Sequence, residues 1–193
     1  MDHREDADGT ALFDHEGRRK YLVTAEAERL LDAAETSEPA IRLLVHVLHF
    51  TGCRISEALA LTPQSLDLNA GFLIFRTLKR RKRVFRAVPI PHALARDLAA
   101  FAMARGSTER IFHCSRTTAW RRIKSLMADA DIVGSQAMPK ALRHRFCVHA
   151  IGCKVPESAV QRWAGHARRR TTQIYTHATG HEDRELAKRM WGE

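Results

Sequence analysis

Four short segments of the chain carry side chains suited to chemistry on a phosphate. They are Thr51-Gly52-Cys53-Arg54-Ile55-Ser56-Glu57-Ala58-Leu59, Leu142-Arg143-His144, Trp163-Ala164-Gly165-His166 and Thr171-Thr172-Gln173-Ile174-Tyr175-Thr176-His177. Breaking a phosphodiester bond requires an in-line nucleophile, positive charge at the non-bridging oxygens and a proton for the leaving oxygen. Guanidinium groups suit that charge, because they stay protonated and bond two phosphate oxygens at once. A phenol attacks only where its surroundings stabilise the phenolate, since its unperturbed pKa is about 10.

The charge balance indicates a polyanionic partner. The 193 residues include 32 Lys and Arg against 22 Asp and Glu, which gives a net charge of +10 and an isoelectric point near 10.1. Neutralising phosphates with such a surface releases condensed counterions, and this favours binding to a nucleic acid. A soluble basic protein without that partner is the alternative on charge alone. The length suits one domain with a substantial core.

The cysteines, the apolar runs and the N-terminal residues indicate the cellular compartment. Cys53, Cys114, Cys147 and Cys153 form no CxxC pair, so we expect reduced, mostly buried thiols and no disulfide framework. No apolar run approaches the length of about 20 residues that spans a bilayer. Residues 1–10 lack the apolar core of a signal peptide. We therefore expect a cytoplasmic protein without a membrane partner.

The elements that must position these side chains are mostly helices. Helical patterns begin at Thr24 and Pro39 and extend over residues 55–61, 92–104, 116–130, 139–151, 156–164, 170–178 and 182–191. Apolar residues within 66–68, 72–75 and 83–90 predict three short strands, with a basic hairpin tip from Lys79 to Arg83. We predict a mainly α (α+β) fold with a small three-stranded antiparallel sheet and a loose leader over residues 1–20.

Together the four segments resemble the signatures of the tyrosine recombinase (phage integrase) family, in the family's order. Phe146 and His149 continue the second arginine segment as expected, and Tyr175 follows His166 by nine residues, the family spacing. The resemblance extends from about Tyr21 to His177. It implies the family's catalytic domain, similar to short inversion-type or Xer-like recombinases. Such enzymes are metal-independent and cleave and rejoin DNA through a 3′-phosphotyrosine intermediate.

The resemblance also assigns roles to individual residues. Arg54 and Arg143 would hold the scissile phosphate, Tyr175 would attack it, and His166 would bond it and assist proton movement. Glu57 would orient neighbouring side chains, with a plain helix-surface carboxylate as the alternative. The phosphotyrosine conserves the bond energy, so the resemblance implies no nucleotide cofactor.

Two lysine positions depend on the resemblance in the same way. The leaving-group acid of the family is a lysine on the β-hairpin, for which Lys79 is the first choice and Lys82 the alternative. Lys140 stands three residues before Arg143, where most relatives have His. Lysine there can still donate to a phosphate oxygen, but at pH 7 it cannot accept a proton unless strongly desolvated.

The other cations form two candidate DNA contacts. The hairpin group, expected to touch phosphates, comprises Arg80, Arg81, Lys82, Arg83 and Arg86. The helical group near Trp120 comprises Arg116, Arg121, Arg122 and Lys124. This helix either enters the major groove, where arginines read guanine edges, or contacts phosphates only.

The resemblance sets expectations for domains and partners. Typical members carry an N-terminal helical domain, whereas here we expect a flexible leader over residues 1–20 and a catalytic domain over 21–193. That organisation suggests a minimal recombinase or a truncated relic, helped by accessory DNA-binding proteins. The segment His181–Trp191, with Leu186 and Met190, either packs on a neighbouring protomer or on its own domain.

Two other functions stay open. A non-catalytic DNA-binding regulator on the same fold is motivated by Lys140 and by the missing N-terminal domain. An RNA-binding or metal-binding module built on the His- and Cys-rich segments is the third hypothesis, although the spacings of its ligands are poor.

Overall fold

The computed structural model describes residues 11–77, 84–104, 110–177 and 188. Its helices are α1 (Thr24–Glu35), α2 (Pro39–Thr51), α3 (Ile55–Ala58), α4 (His92–Ala104), α5 (Arg116–Asp129), α6 (Lys140–Gly152), α7 (Glu157–Ala164) and α8 (Arg170–Gln173). Its strands are β1 (Leu66–Asp67), β2 (Phe72–Arg76) and β3 (Phe85–Pro89). Short 3-10 helices cover Pro63–Ser65 and Ile174–His177. The predicted mainly helical fold with a small sheet is confirmed.

Helix α2 is the central helix of the larger core. Pro39 occupies its first turn, where a missing N–H costs nothing. Its buried residues are Ile41, Leu43, Leu44, Val45, Val47, Leu48 and Thr51. This face is wider than the stripe of a surface helix, because α2 contacts α1, α4, α5 and α6.

The sheet places the hairpin beside the helices. β2 lies between β1 and β3 and is antiparallel to both. Leu73 and Phe75 on β2 are buried, while the intervening Ile74 is exposed, as the alternation of a half-buried strand requires. The Thr77 N–H donates to the Val84 carbonyl at 2.8 Å, which closes the hairpin. The predicted basic tip, residues 79–83, lies outside the described residues.

A second, smaller core surrounds Tyr175. Its buried members are Leu12, Cys147, Ala150, Val160, Ala164 and Tyr175. Helices α6 and α7 and the 3-10 helix Ile174–His177 supply most of them. Because α6 also contributes Ala141 and Leu142 to the larger core, it joins the two.

Residues 11–20 pack onto the domain, which corrects the prediction of a loose leader for this stretch. Leu12 is buried in the smaller core, and Phe13 pairs with Arg19 in an isolated antiparallel bridge. The Arg19 guanidinium also bonds both carboxylate oxygens of Glu26 in the first turn of α1. The prediction relied on the low apolar content of this stretch, but buried Leu12 and the ion pair of Arg19 with Glu26 are enough to hold it on the domain. Residues 1–10 lie outside the described residues.

The C-terminal part differs in detail from the prediction. The helix expected over 170–178 is α8 followed by the 3-10 helix Ile174–His177. The helix expected over 182–191, with Leu186, Met190 and Trp191, lies outside the described residues apart from Lys188. Across the described ranges, no helix has the length and apolar character needed to cross a bilayer.

Candidate active site

Arg54 is placed by the sharp end of α2. Gly52 ends that helix in the left-handed conformation, with φ of 58°, and a Cβ there would lie 2.4 Å from Cδ1 of Phe146. Only glycine meets both conditions, since side chains are strained at that φ and Phe146 occupies the space. The chain turns at Gly52 and restarts as α3, with Arg54 at its N-cap. The Arg54 side chain is 29% exposed, so a phosphate can reach it.

Glu57 is a buried acceptor for Arg54. Its carboxylate accepts from the Arg54 backbone N–H at 2.8 Å and from Nη1 of Arg54 at 3.3 Å. The Glu57 side chain is only 1% exposed, so the alternative of a surface carboxylate is wrong. Burial raises the pKa of Glu57, but the hydrogen bonds and charge of Arg86, together with the Arg54 N–H, outweigh burial and hold the pKa below its usual value. Glu57 is therefore ionised at neutral pH.

Arg86 lies inside the protein, which corrects its predicted phosphate contact. Nη1 and Nη2 donate to the two oxygens of Glu57 at 3.2 and 2.8 Å, and Nε donates to the Trp163 carbonyl at 2.8 Å. The guanidinium lies 5.0 Å over the ring of Phe75. These donors are committed to protein acceptors. The sequence carried a signal for this, because strand alternation puts Arg86 on the same face as the buried Val88.

Arg143 holds two of the predicted segments together. Its Nη1 donates to the Gly52 carbonyl at 2.8 Å and to the Ala164 carbonyl at 2.7 Å. These carbonyls lie two residues before Arg54 and two residues before His166, respectively. Burial, followed by the charge of Arg54, lowers the pKa of Arg143, yet a guanidinium stays protonated at neutral pH. One buried cation thus brings Arg54 and His166 to the same place.

His166 presents one unpartnered nitrogen. It follows Gly165, the left-handed C-cap of α7, and its Nδ1 lies 2.9 Å from Oγ1 of Thr172. Its Nε2 is buried and has no hydrogen-bond partner within the described part of the chain. Burial, followed by the charges of Arg143 and Arg54, lowers the pKa of His166 to about 3, so the imidazole is neutral at pH 7. A neutral imidazole held in this way is suited to bonding a phosphate oxygen.

Tyr175 lies next to these groups, with its hydroxyl inside the domain. It is 1% exposed, and its ring stacks on that of His166 with centroids 5.8 Å apart. Its Oη lies 3.0 Å from Nδ1 of His144. Burial raises the pKa of Tyr175, Cys147 adds to the rise, and the charge of Arg143 opposes it. In this conformation the phenol is protonated and shielded from solvent.

His144 belongs to one of the four segments, although the resemblance assigned it no role. It is 1% exposed, and burial, followed by the charges of Lys140 and Arg143, lowers its pKa to about 3. Helical spacing alone predicts that it shares a face with Lys140, four residues earlier. Its contact with Tyr175, 31 residues away, depends on tertiary structure. Lys140 itself is exposed at the first residue of α6.

The predicted DNA contacts divide by location. The helical group is exposed on α5 and comprises Arg116, Arg121, Arg122 and Lys124. Because α5 contacts α3, this cationic face belongs to an element that packs beside Arg54. The hairpin cations other than Arg86, including the lysine candidates Lys79 and Lys82, lie outside the described residues.

The described part of the chain has clefts both beside His166 and beside α5. One of about 300 Å³ opens between the hairpin base and α7, and its lining includes Thr77, Arg86 and His166. The other, of about 450 Å³, is lined by α5 and residues 132–137, including Trp120 and Val133. The smaller cleft has His166 in its lining, whereas Arg54, Arg143 and Tyr175 do not line it.

The cysteines are free thiols in this structure, and Cys53 and Cys147 are buried. Cys114 is half-buried and Cys153 exposed, so fewer are enclosed than expected. Burial raises the pKa of Cys53 to about 12 and that of Cys147 to about 11, and both thiols stay protonated. Within residues 11–77, 84–104 and 110–177, no three His, Cys, Asp or Glu side chains gather to hold a metal ion. The metal-binding hypothesis therefore has no ligand set there.

These features define a class: a mainly helical domain in which guanidinium, imidazole and phenol groups from separate segments lie close together. A sequence model of the phage integrase family matches residues 20–182. The chain belongs to that family, and its match covers all four predicted segments.

Known relatives agree with this assignment. Tyrosine recombinase XerA of Thermococcus kodakarensis is 30% identical over 190 residues, which cover 90% of this chain and 66% of the relative. A crystal structure of XerA recombinase matches with a TM-score of 0.75 and 28% identity, covering 88% of this chain and 64% of that one. XerH site-specific recombinase bound to palindromic difH substrate, a post-cleavage complex, has the same fold, with a TM-score of 0.78, 23% identity and coverage of 90% and 54%. The chain thus spans just under two thirds of XerA.

Proposed function

We propose that this chain is the catalytic part of a site-specific DNA recombinase that forms a 3′-phosphotyrosine on Tyr175. The observation that carries the proposal is the double hydrogen bond of Arg143 to the Gly52 and Ala164 carbonyls. It gathers Arg54 and His166 at one place, next to the ring of Tyr175. The family membership and the net charge of +10 support a DNA substrate.

The proposed cleavage step is a balanced phosphoryl transfer. Arg54 and Arg143 bond the non-bridging oxygens of the scissile phosphate, and Oη of Tyr175 attacks the phosphorus in line. The bond from Oη to phosphorus forms while the bond from phosphorus to the 5′-oxygen breaks. Oη releases its proton to water, and the leaving 5′-oxygen takes one from Lys79 or, in the other register of the hairpin, from Lys82. Attack by the 5′-hydroxyl of another strand reverses the step, so no ATP is consumed.

His166 and Lys140 act on the same phosphate in this scheme. The unpartnered Nε2 of His166 bonds a phosphate oxygen, whose negative charge raises the pKa of the imidazole and strengthens that bond. Lys140, exposed at the start of α6, contributes a further positive charge. Glu57 orients Arg54 through two hydrogen bonds.

Attack requires that Tyr175 leave the conformation described above. Its hydroxyl faces His144, and burial keeps its pKa above the usual value for a phenol. A DNA-bound form must turn the hydroxyl toward the phosphate, where Arg54 and Arg143 stabilise the developing phenolate. The free protein is then a resting state, in which the nucleophile cannot react without its substrate.

Contacts with DNA and partners extend this proposal. The exposed cations of α5 and those of the hairpin tip bind the duplex, and α5 either reads base edges or contacts phosphates. The segment His181–Trp191 mediates self-association on DNA, and accessory DNA-binding proteins assist assembly. We place the catalytic domain over residues 21–193, extended by the packed stretch from residue 11, and the activity in the cytoplasm.

A suicide substrate tests the reaction. A nicked duplex carrying the native site loses a short 5′-hydroxyl fragment on cleavage, which traps the covalent adduct. Wild-type protein should form an adduct that survives denaturing electrophoresis, and Tyr175→Phe should form none while retaining DNA binding. Adduct formation by Tyr175→Phe, or DNA binding without any adduct by the wild type, contradicts the proposal.

The second candidate function is a DNA-binding regulator on the same fold. The observation in its favour is the shielded hydroxyl of Tyr175, together with Lys140 at the position where the family resemblance leads us to expect His. Such a protein binds DNA with strong salt dependence and forms no adduct. Its Tyr175→Phe variant represses or bends the site as well as the wild type does. The suicide-substrate assay therefore separates the two functions directly.

A further inference from the structure

Arg86 takes no part in the proposed reaction, although its side chain is only 5% exposed. It stands on β3, outside all four segments that supply catalytic candidates. Its guanidinium nevertheless donates hydrogen bonds to Glu57, in α3, and to the Trp163 carbonyl, near the end of α7. A charged group is enclosed in this way only when every donor finds an acceptor, so its surroundings are specific to arginine.

Glu57 is shared between Arg86 and Arg54. Its Oε1 accepts from Nη1 of Arg86 at 3.2 Å and from Nη1 of Arg54 at 3.3 Å. Its Oε2 accepts from Nη2 of Arg86 at 2.8 Å and from the backbone N–H of Arg54 at 2.8 Å. Four donors fix the plane of the carboxylate, and two of them form the parallel fork of Arg86.

The charges of this group explain why two arginines are needed. Glu57 carries one negative charge at neutral pH, and Arg54 and Arg86 carry one positive charge each. Without Arg86, the buried carboxylate would pair with Arg54 alone and neutralise the cation that must bind phosphate. With Arg86 in place, the three side chains together keep one net positive charge. Arg54 is the more exposed of the two guanidinium groups, so this charge is available to a phosphate there.

Backbone packing keeps Arg86 in this position. Its Nε donates to Trp163, and a Cβ on Gly165 would lie only 3.0 Å from Cζ of Arg86. On the other side, the guanidinium lies over the ring of Phe75. The fork is therefore held between β2 and the end of α7.

We propose that Arg86 is a positioning residue. It neutralises and orients the Glu57 carboxylate, so that the Arg54 guanidinium keeps its positive charge and its orientation toward the scissile phosphate. This inference rests on the proposed function. Arg86 touches neither the substrate nor the reacting atoms and acts only through Glu57.

The test compares Arg86→Lys with Arg96→Lys. Lysine keeps the buried positive charge but offers no fork, so Glu57 is free to turn toward Arg54. Arg96 is exposed on α4 and serves as the matched control. In single-turnover cleavage of the suicide substrate, we expect Arg86→Lys to be about 10- to 100-fold slower than wild type, with DNA affinity within about twofold. Arg96→Lys should cleave at the wild-type rate.

A neutral substrate separates positioning from a merely structural role. Methylphosphonate at the scissile position replaces one charged oxygen by a methyl group, which removes the need for the Arg54 charge. The defect of Arg86→Lys should largely disappear on this substrate, as should that of Arg54→Ala. On ordinary phosphate, Arg54→Ala/Arg86→Lys should be no slower than Arg54→Ala, because the two residues act through one group.

The outcomes are distinguishable. Wild-type protein without an adduct overturns the proposed function and this inference together. If the wild type cleaves, the inference alone fails when Arg86→Lys matches Arg96→Lys, when its defect is equal on methylphosphonate, or when the double variant shows additive losses. Should Arg86→Lys melt below the assay temperature, Glu57→Gln/Arg86→Met removes both buried charges together and leaves neither unpaired. This pair should cleave more slowly than wild type, because Glu57 no longer orients Arg54 through its carboxylate, and wild-type cleavage by this pair overturns the inference.

Discussion

At the scale of single residues, Gly52 decides the direction of the chain at the site. Its positive φ turns the backbone from α2 into α3, and Phe146 fills the space that a side chain would need. Gly17 has a similar φ of 76°, but a Cβ there would meet nothing within 4 Å. A substitution at Gly17 therefore introduces backbone strain alone, whereas one at Gly52 adds a steric conflict with Phe146.

We predict that Gly52→Ala destabilises the fold by about 2–5 kcal/mol, the sum of left-handed strain and overpacking. Gly17→Ala should lose only about 1–2 kcal/mol, from the strain alone. Urea denaturation of both variants measures the difference. Adding Phe146→Leu should recover part of the loss at Gly52 and none at Gly17. Equal losses for the two glycine variants would show that Phe146 does not constrain Gly52.

Residue identity was enough to find most of the candidate site. Arg54, Arg143, His166 and Tyr175 were predicted from motifs, and the structure brings them together. Arg86 was assigned to the DNA surface, because a run of cations in sequence cannot distinguish an exposed side chain from one that turns inward. Strand alternation was the one signal that could have corrected it.

At the scale of elements, α5 carries the most exposed candidate DNA surface in the described chain. Its N-terminus is fixed by Ser115, whose Oγ accepts from the Thr118 N–H at 3.0 Å. Arg116 is the first residue of this helix, so fraying there would displace a candidate DNA contact. The cap thus links the stability of this helix to the candidate DNA surface that it carries.

We predict that Ser115→Ala destabilises the protein by about 1 kcal/mol through loss of the N-cap. Ser125→Ala, on an exposed position of the same helix, should be neutral or slightly stabilising, because alanine has the higher helix propensity. Chemical denaturation of the pair measures this. If Ser115→Ala is as stable as Ser125→Ala, the hydrogen bond to Thr118 does not support the helix.

The predicted elements agree with the structure where periodic patterns are long. α4, α5 and α6 lie within one residue of their predicted ranges, and α2 begins at Pro39 as predicted. Residues 11–20 differ, since their packing depends on Leu12 and on the pair of Arg19 with Glu26. A local pattern cannot show an anchor whose partners come from distant elements.

At the scale of the whole molecule, folding lowers the pKa of several histidines, chiefly by burial. They are His46, His49, His144, His149 and His166. Near pH 6 the unfolded chain binds protons that the folded protein excludes, so stability rises with pH in this range. The contribution of these neutral histidines to stability is complete above pH 6.5, the pKa of histidine in the unfolded chain. It is lost as the pH falls toward about 3, the folded-state pKa of His144 and His166.

We predict that the free energy of unfolding falls between about pH 7.5 and about pH 5.5, by about 1.4 kcal/mol for each fully excluded histidine proton. His144→Gln should reduce this loss by about 1 kcal/mol, since one excluded proton disappears. His15→Gln is the control, because that side chain is 84% exposed. Denaturant titrations at both pH values give the slopes. A slope unchanged by His144→Gln means that His144 is not held neutral by the fold.

The sequence by itself determined the family, the mainly helical fold and the identity of the candidate catalytic groups. These depend on side-chain type, spacing and hydrophobic period, which are local properties of the chain. Only the tertiary structure decided that Arg86 supports Glu57, that His144 holds the Tyr175 hydroxyl, and that the nucleophile rests inside a small core. These contacts join residues 29 and 31 positions apart on different elements. Burial and charge pairing at such separations arise only when the elements pack, and no local pattern carries them.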